Sequence, residues 1–274
     1  MRVFSIRSKL SKALLIVLAF IAFTIVHWLS EQAIHTVSTM VSTRLVPIYR
    51  VDVPTQKMSI SFDAMWGADY TDELLRILRE NDVRTTFFLG GYWVEKYPEY
   101  VKKIVESGHE IGNHTYSHPH LNSLAPEGIR QELQRNHDNI KAITGQDSFL
   151  FRPPFGEYSN KVIQTAEELG YYTIQWSVDS LDWKDVSAGF ILDRILDQAG
   201  PGEIVLMHNN GTHTAAACSQ LLPELKRRGY EIVPISELIY RDNYMIESHS
   251  GTQRSTQKPE PKKGASTDGE GSSR

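Results

Sequence analysis

The stretch Met58-Ser-Ile-Ser-Phe-Asp-Ala-Met-Trp-Gly67 decides the fold. Six residues, Met58 to Asp63, read as a short strand that runs into an acid, and Gly67 offers a turn just beyond it. The same design recurs along the chain. Strand-like runs cover Thr85–Leu89, Glu110–Gly112, Phe149–Arg152, Tyr172–Val178, Glu203–His208 and Glu231–Ile235. Between them lie amphipathic segments: Leu74, Ile77 and Leu78 share one helical face, as do Ile129, Leu133, Ile140 and Ile143, with Gly145 and Gly170 as stops. Strand–helix alternation predicts an α/β fold with a parallel sheet, open or closed. The residues able to carry chemistry fall at or just past strand ends: Asp63, His114, Arg152, Asp179 with Asp182, and His208. A barrel gathers such residues on one rim, whereas a doubly wound sheet gathers them mainly at its switch point. The expectation is therefore a distorted (β/α) barrel of about seven parallel strands over residues 56–240.

Outward from that core the chain changes character. Arg2, Arg7, Lys9 and Lys12 make a basic start, residues 1–12, before the apolar run of residues 13–29. At a rise of about 1.5 Å per residue that run spans roughly 25 Å, close to the ~30 Å of a bilayer core. It reads as a transmembrane signal anchor with its basic end cytoplasmic, because no small-x-small cleavage site follows Leu29. Anchored or cleaved, it exports everything downstream. Residues 30–55 read as a connector punctuated by Pro47 and Pro54. Residues 241–274, rich in Ser, Gly, Thr, Pro, Lys and Glu, read as a disordered polar tail. A net charge of −4 over 274 residues supplies no field for gripping nucleic acid, so that class of partner is excluded. The one cysteine, Cys218, reads as a small buried helix residue.

The chemistry-bearing motifs are ordinary singly. His114-Thr-Tyr-Ser-His118 places two imidazoles four residues apart, able to point at one cation from a helical turn or a tight loop. Phe151-Arg-Pro-Pro-Phe-Gly156 sets an arginine at a strand end beside two stiff prolines, where it can hold a carboxylate. Asp179-Ser-Leu-Asp-Trp183 adds two acids and an aromatic, and Leu206-Met-His208 a strand-end histidine. In this order they resemble the polysaccharide deacetylase family (NodB-like, carbohydrate esterase family 4) over about Met58 to Tyr240. The variant Phe62-Asp-Ala-Met-Trp-Gly67, with Ile174-Gln-Trp176 and Met207-His-Asn-Asn210, is similar to its sporulation-associated branch.

The resemblance implies hydrolysis of N-acetyl groups on a cell-wall or spore peptidoglycan-type glycan, assisted by one divalent metal, with zinc the expected ion. Asp63 would be the general base and Arg152 would orient it and keep it ionised. His114 and His118 would bind the metal. The Phe155 amide would complete an oxyanion site, and Trp183 and Leu206 would line the acetyl pocket. His208 would protonate the departing amine, oriented by Asp182. One position departs from the pattern: the family places a second, metal-ligating Asp after the base, and here that residue is Ala64. Catalytic zinc sites keep three protein ligands, so the sequence implies a weakened site or a glycan-binding pseudoenzyme.

Overall fold

The computed structural model describes residues 20–28 and 44–257. The chain divides into two units, residues 1–44 and 45–274. In the first, residues 20–28 are helical. The expected 13–29 span lies partly outside the described residues, and among those described no helix is long and apolar enough to cross a membrane.

The second unit is an α/β body. Its main sheet contains β2 (Lys57–Ala64), β3 (Thr86–Leu89), β4 (Glu110–Asn113), β5 (Leu150–Phe151), β6 (Tyr172–Thr173), β7 (Val178–Asp179) and β8 (Ile204–His208). All pair in parallel, in the order β6-β5-β4-β3-β2-β8-β7, and β9 (Glu231–Ile232) joins the start of β2. Helices α1 (Thr71–Glu80), α2 (Gly91–Lys96), α3 (Pro98–Glu106), α4 (Pro126–Thr144), α5 (Asn160–Glu168), α6 (Ala188–Gln198), α7 (Thr214–Arg227) and α8 (Ile235–Leu238) connect the strands.

Chain connectivity forces the sheet to curl. Laid flat, seven strands put β6 and β7 about 29 Å apart at ~4.8 Å per gap. Yet only residues 174–177 separate them, a reach of about 17 Å at most. The sheet therefore bends into a half-barrel. The expected single run Tyr172–Val178 is in fact both edges of the sheet plus the segment joining them. The opening is filled from the connector: Ile48 donates to Thr173 O and accepts from Gln175 N, and Val51 donates to Gly202 O.

Strand β2 shows how the layers separate. Met58, Ile60, Phe62 and Ala64 alternate into the apolar layer shared with helix residues Leu74, Leu78, Leu221 and Leu222. Ser59, Ser61 and Asp63 face the barrel interior, where the two hydroxyls donate to Val233 O and Val205 O. Fully buried polar side chains are tolerable there because each has a partner. Cys218 is buried in α7, as expected.

The folded body is longer than the sequence indicated. Residues 241–257 do not form a disordered tail. They make a hairpin, β10 (Tyr244–Ile246) with β11 (Thr252–Ser255), which pairs in parallel with β1 (Arg50–Val51) of the connector. Buried Gln253 explains the anchoring: its side chain exchanges two hydrogen bonds with the Tyr240 backbone. These partners are distant in sequence and leave no local periodicity. The remainder of the expected tail, residues 258–274, lies outside the described residues.

Candidate active site

All the parallel strands end on one rim, and the rim surrounds a cavity of about 650 Å³. Asp63, His114, His118, Phe155, Trp183, Leu206 and His208 line it, with Asp182 behind His208. The predicted residues are thus brought together, Arg152 lying just beneath the surface as the ion-pair partner of Asp63.

The first half of the site is built on β2 and the end of β5. Arg152 Nη1 donates to Asp63 Oδ1 at 2.8 Å, and Nη2 donates to Ser61 Oγ at 2.8 Å and Gln175 O at 3.2 Å. Its guanidinium lies 4.1 Å from the Phe88 ring centre. Burial pushes the Asp63 carboxyl up, but Arg152, His114 and His208 outweigh it and hold the group below its ordinary value. Asp63 is therefore ionised at neutral pH.

The second half is built on β8 and the 3₁₀ turn Asp182–Lys184. The His208 Nδ1 lies 2.7 Å from Asp182 Oδ1, and the His208 backbone N–H donates to Asp182 Oδ2 at 2.7 Å. Thr214 Oγ1 donates to the same oxygen at 2.6 Å. Burial works against the imidazolium, but the bond and charge of Asp182, together with Asp63 and Asp179, raise the His208 pKa above its usual value. Burial raises and His208 lowers the Asp182 carboxyl, and the net direction is down. The pair is an acid whose charged form is favoured by an ionised orienter.

Between the two halves stand the histidines of the third corner. The His114-to-His118 segment is a tight loop, with Thr115 and His118 at φ values of 65° and 60°. Glu132 of α4 holds it: Oε2 accepts from the N–H groups of Tyr116 and Ser117, and Oε1 accepts from Ser117 Oγ. His114 Nδ1 is 2.7 Å from Arg152 O, and Nε2 lies 3.6 Å from Asp63 Oδ2. Burial lowers both imidazoles, His118 to about 4, so both are neutral with lone pairs available.

Their fit to a metal can be tested on the donor set. Ala64 is fully buried in the helix-facing layer and supplies no donor. Asn113 is also spent: its amide donates to Leu133 O and Tyr171 OH, and its oxygen accepts from Thr115 N and Asn136. Asp69 is outside the cavity lining, its N–H on Asn210. Among the described residues no three His, Cys, Asp or Glu side chains converge as an ion site. Two imidazoles fall short of the three protein ligands that catalytic zinc sites keep.

Residues 50–174 match the polysaccharide deacetylase family model. The chain is 34% identical over 186 residues to a peptidoglycan-N-acetylglucosamine deacetylase of Bacillus cereus, covering 66% of this chain and 68% of that protein. It is 33% identical over 193 residues to the peptidoglycan-N-acetylmuramic acid deacetylase PdaA of Bacillus subtilis, covering 69% and 73%. The chain belongs to the polysaccharide deacetylase family. Within this family, a carbohydrate esterase family 4 pseudoenzyme from Bacillus anthracis superposes with a TM-score of 0.68 at 36% identity, over 70% of this chain and 68% of that one. A mutant of that pseudoenzyme with restored enzymatic activity gives the same TM-score at 37% identity, over 70% of this chain and 71% of that one. Deacetylases of this family are generally metal-dependent, which makes the missing donor at position 64 the feature that separates this chain from the pattern.

Several site residues escape sequence reasoning. Ser61 and Gln175 hold Arg152, Thr214 holds Asp182, and Glu132 holds the histidine loop. Ser61, Thr214 and Glu132 are polar residues in apolar or amphipathic runs and Gln175 acts through its backbone carbonyl, so only the fold reveals these roles.

Proposed function

We propose that this chain hydrolyses N-acetyl groups on a peptidoglycan-type glycan of the cell wall or spore, with proton transfers carried by Asp63 and His208. The supporting observation is that two separately buttressed proton-transfer pairs, Asp63–Arg152 and His208–Asp182, open onto one cavity. In this reading Asp63 removes a proton from the attacking water as its oxygen bonds to the acetyl carbon. The carbon–nitrogen bond then breaks, His208 gives its proton to the departing amine, and acetate leaves. Arg152 keeps the base ionised, and Asp182 keeps the acid charged. The Phe155 N–H serves the developing oxyanion, and Leu206 and Trp183 wall the acetyl group.

His114 and His118 are the residues that would touch a divalent ion, zinc being the ion suited to imidazole ligands, but the third ligand is missing. No step is assigned to a metal. The same reading places the domain outside the cytoplasm, where such a glycan lies, behind the apolar run 13–29.

A second reading, a glycan-binding pseudoenzyme, is favoured by Ala64 and by the likeness to the Bacillus anthracis pseudoenzyme. Acetate release from N-acetylated peptidoglycan by the full-length protein separates the two. Release that disappears in Asp63→Asn and His208→Ala supports hydrolysis. No release above the level of those variants leaves the pseudoenzyme reading standing.

A further inference from the structure

Trp66 and Trp176 line the cavity without a part in the reaction, and of the two Trp66 is the exposed one. Trp66 is 65% exposed and lines the same cavity as Asp63 and His208. Its ring centre is 6.3 Å from that of His118, at an interplanar angle of 67°. The loop that carries the indole is fastened. Gly67 takes a φ of 67°, and the Asn210 amide occupies the space a Cβ would need, 2.2 Å from it. Gly67 O accepts from Trp93 Nε1 at 2.7 Å and from Asn209 Nδ2 at 3.1 Å. The Asp69 N–H donates to Asn210 Oδ1 at 2.9 Å. The residue after Trp66 is therefore held by two hydrogen bonds and a left-handed turn, and a third bond two residues on fastens the same loop, which fixes the backbone that carries the indole.

Two other exposed aromatics rim the cavity. Phe155, 60% exposed, packs against His118 at 4.4 Å between ring centres. Trp183, 58% exposed, follows Asp182 on the other side of the site. Trp66 and Trp183 belong to loops after β2 and β7, strands separated in the sheet by β8. Solvent-facing aromatic surface on both sides of a reaction centre is not accounted for by core packing. It is the surface an extended ligand with apolar C–H faces would cover, and rigid aromatics bind at low entropic cost.

We propose that Trp66 is a sugar-stacking platform for a ring next to the one that presents its acetamido group to Asp63. The inference rests on the glycan reading of the preceding subsection and sharpens it. The ligand is an oligosaccharide of two or more N-acetylated rings, and Trp66 sets the preference for length without taking part in proton transfer.

The test is calorimetric titration of the full-length protein with N-acetylglucosamine monomer, dimer and tetramer. Wild-type affinity should rise with length. In Trp66→Ala the tetramer should bind about tenfold more weakly, more than most interface residues cost on truncation, with the monomer within about twofold. Trp66→Phe, which keeps an aromatic face and guards against misfolding of the alanine variant, should recover most of the loss. It should also lack the part of the fluorescence change that tetramer causes at Trp66 in the wild type. Tetramer affinity in Trp66→Ala within twofold of wild type, or a length dependence unchanged by both substitutions, overturns the assignment. Wild-type protein that binds none of the three sugars overturns the glycan reading and this inference together.

Discussion

Asp63 and Ala64 are adjacent in one strand and live in different environments. Asp63 faces the barrel interior, where Arg152, itself held by Ser61 and Gln175, keeps its charge in place. Ala64 faces the helices, among Phe62, Leu74 and Leu78, with no polar side chain required of it. A strand sends successive side chains to opposite faces, so a single residue step carries the chain from the charged layer to the dry one. The comparison teaches that the two proton-transfer pairs hold together without a donor at position 64, whereas the histidine corner that would take a metal is left with two imidazoles. The first rests on buried, mutually supporting hydrogen bonds. The second offers His114 and His118, and the alanine at position 64 packs among apolar side chains without supplying a donor.

The sharpest way to break that comparison is kinetic. Asp63→Asn removes the base while leaving shape almost unchanged, and release of acetate should fall by about 10²–10⁴-fold, the usual range for a positioned acid or base. The His114→Ala/His118→Ala double variant then provides the contrast. If the proton-transfer half dominates, the double variant should lose less rate than Asp63→Asn. A larger loss in the double variant, measured on the same substrate, would show that the histidine corner is not separable from the proton-transfer pairs.

Stability offers the next test. Arg152 is fully buried and its Nε has no partner, so the guanidinium depends on Asp63, Ser61 and Gln175 for its solvation. Arg152→Met strands the Asp63 charge, and loss of one partner of a buried pair costs about 3–5 kcal/mol. Urea denaturation at neutral pH should show a loss of that size. In Asp63→Asn/Arg152→Met, where no charge is stranded, much of it should return. A single variant as stable as wild type would mean that the pair contributes nothing to folding.

Ala64→Asp probes the dry layer directly. In chelator, a carboxylate at this fully buried position should destabilise the protein by about 2–4 kcal/mol, because it lies among apolar side chains. With zinc present, the strand end can turn the new acid toward His114 and His118, and the melting temperature should rise with zinc concentration. Wild type should show a much smaller zinc response. Equal responses in the two proteins would mean that the natural site has another third ligand.

These contrasts also mark what could be read from sequence. Strand ends carrying Asp63, His114, Arg152, Asp182 and His208 were legible because a short apolar run followed by a polar residue is a local signal. The parallel sheet followed from their repetition, and the distorted barrel from the gathering of those polar residues at strand ends. The split of Tyr172–Val178 into two opposite edges was not legible, since it depends on which strands pair across the sheet. Nor was the β10–β11 hairpin, whose composition is that of a polar tail and whose order comes from β1 and Gln253. Ser61, Gln175, Thr214 and Glu132 were hidden for the same reason: a hydrogen bond across 15 to 91 residues leaves no pattern near either partner.

The smallest expected effect concerns the acid half and its pH dependence. Asp63 titrates below its ordinary value and His208 above its own, so base and acid are both correctly charged only between those two points. Activity should be bell-shaped, rising as Asp63 loses its proton and falling as pH climbs through the raised His208 value. Asp182 supplies the bond and the charge that overcome burial at His208. In Asp182→Asn both weaken, and the new amide meets the Thr214 hydroxyl and the His208 N–H where a carboxylate accepted from both. The imidazolium then gives up its proton at lower pH. The basic limb should move down by about one unit, a change of roughly 1.4 kcal/mol in the stability of the charged form, while the acid limb, set by Asp63 and Arg152, stays in place. A limb that does not move would assign the descending side of the profile to another group and leave His208 as a structural histidine.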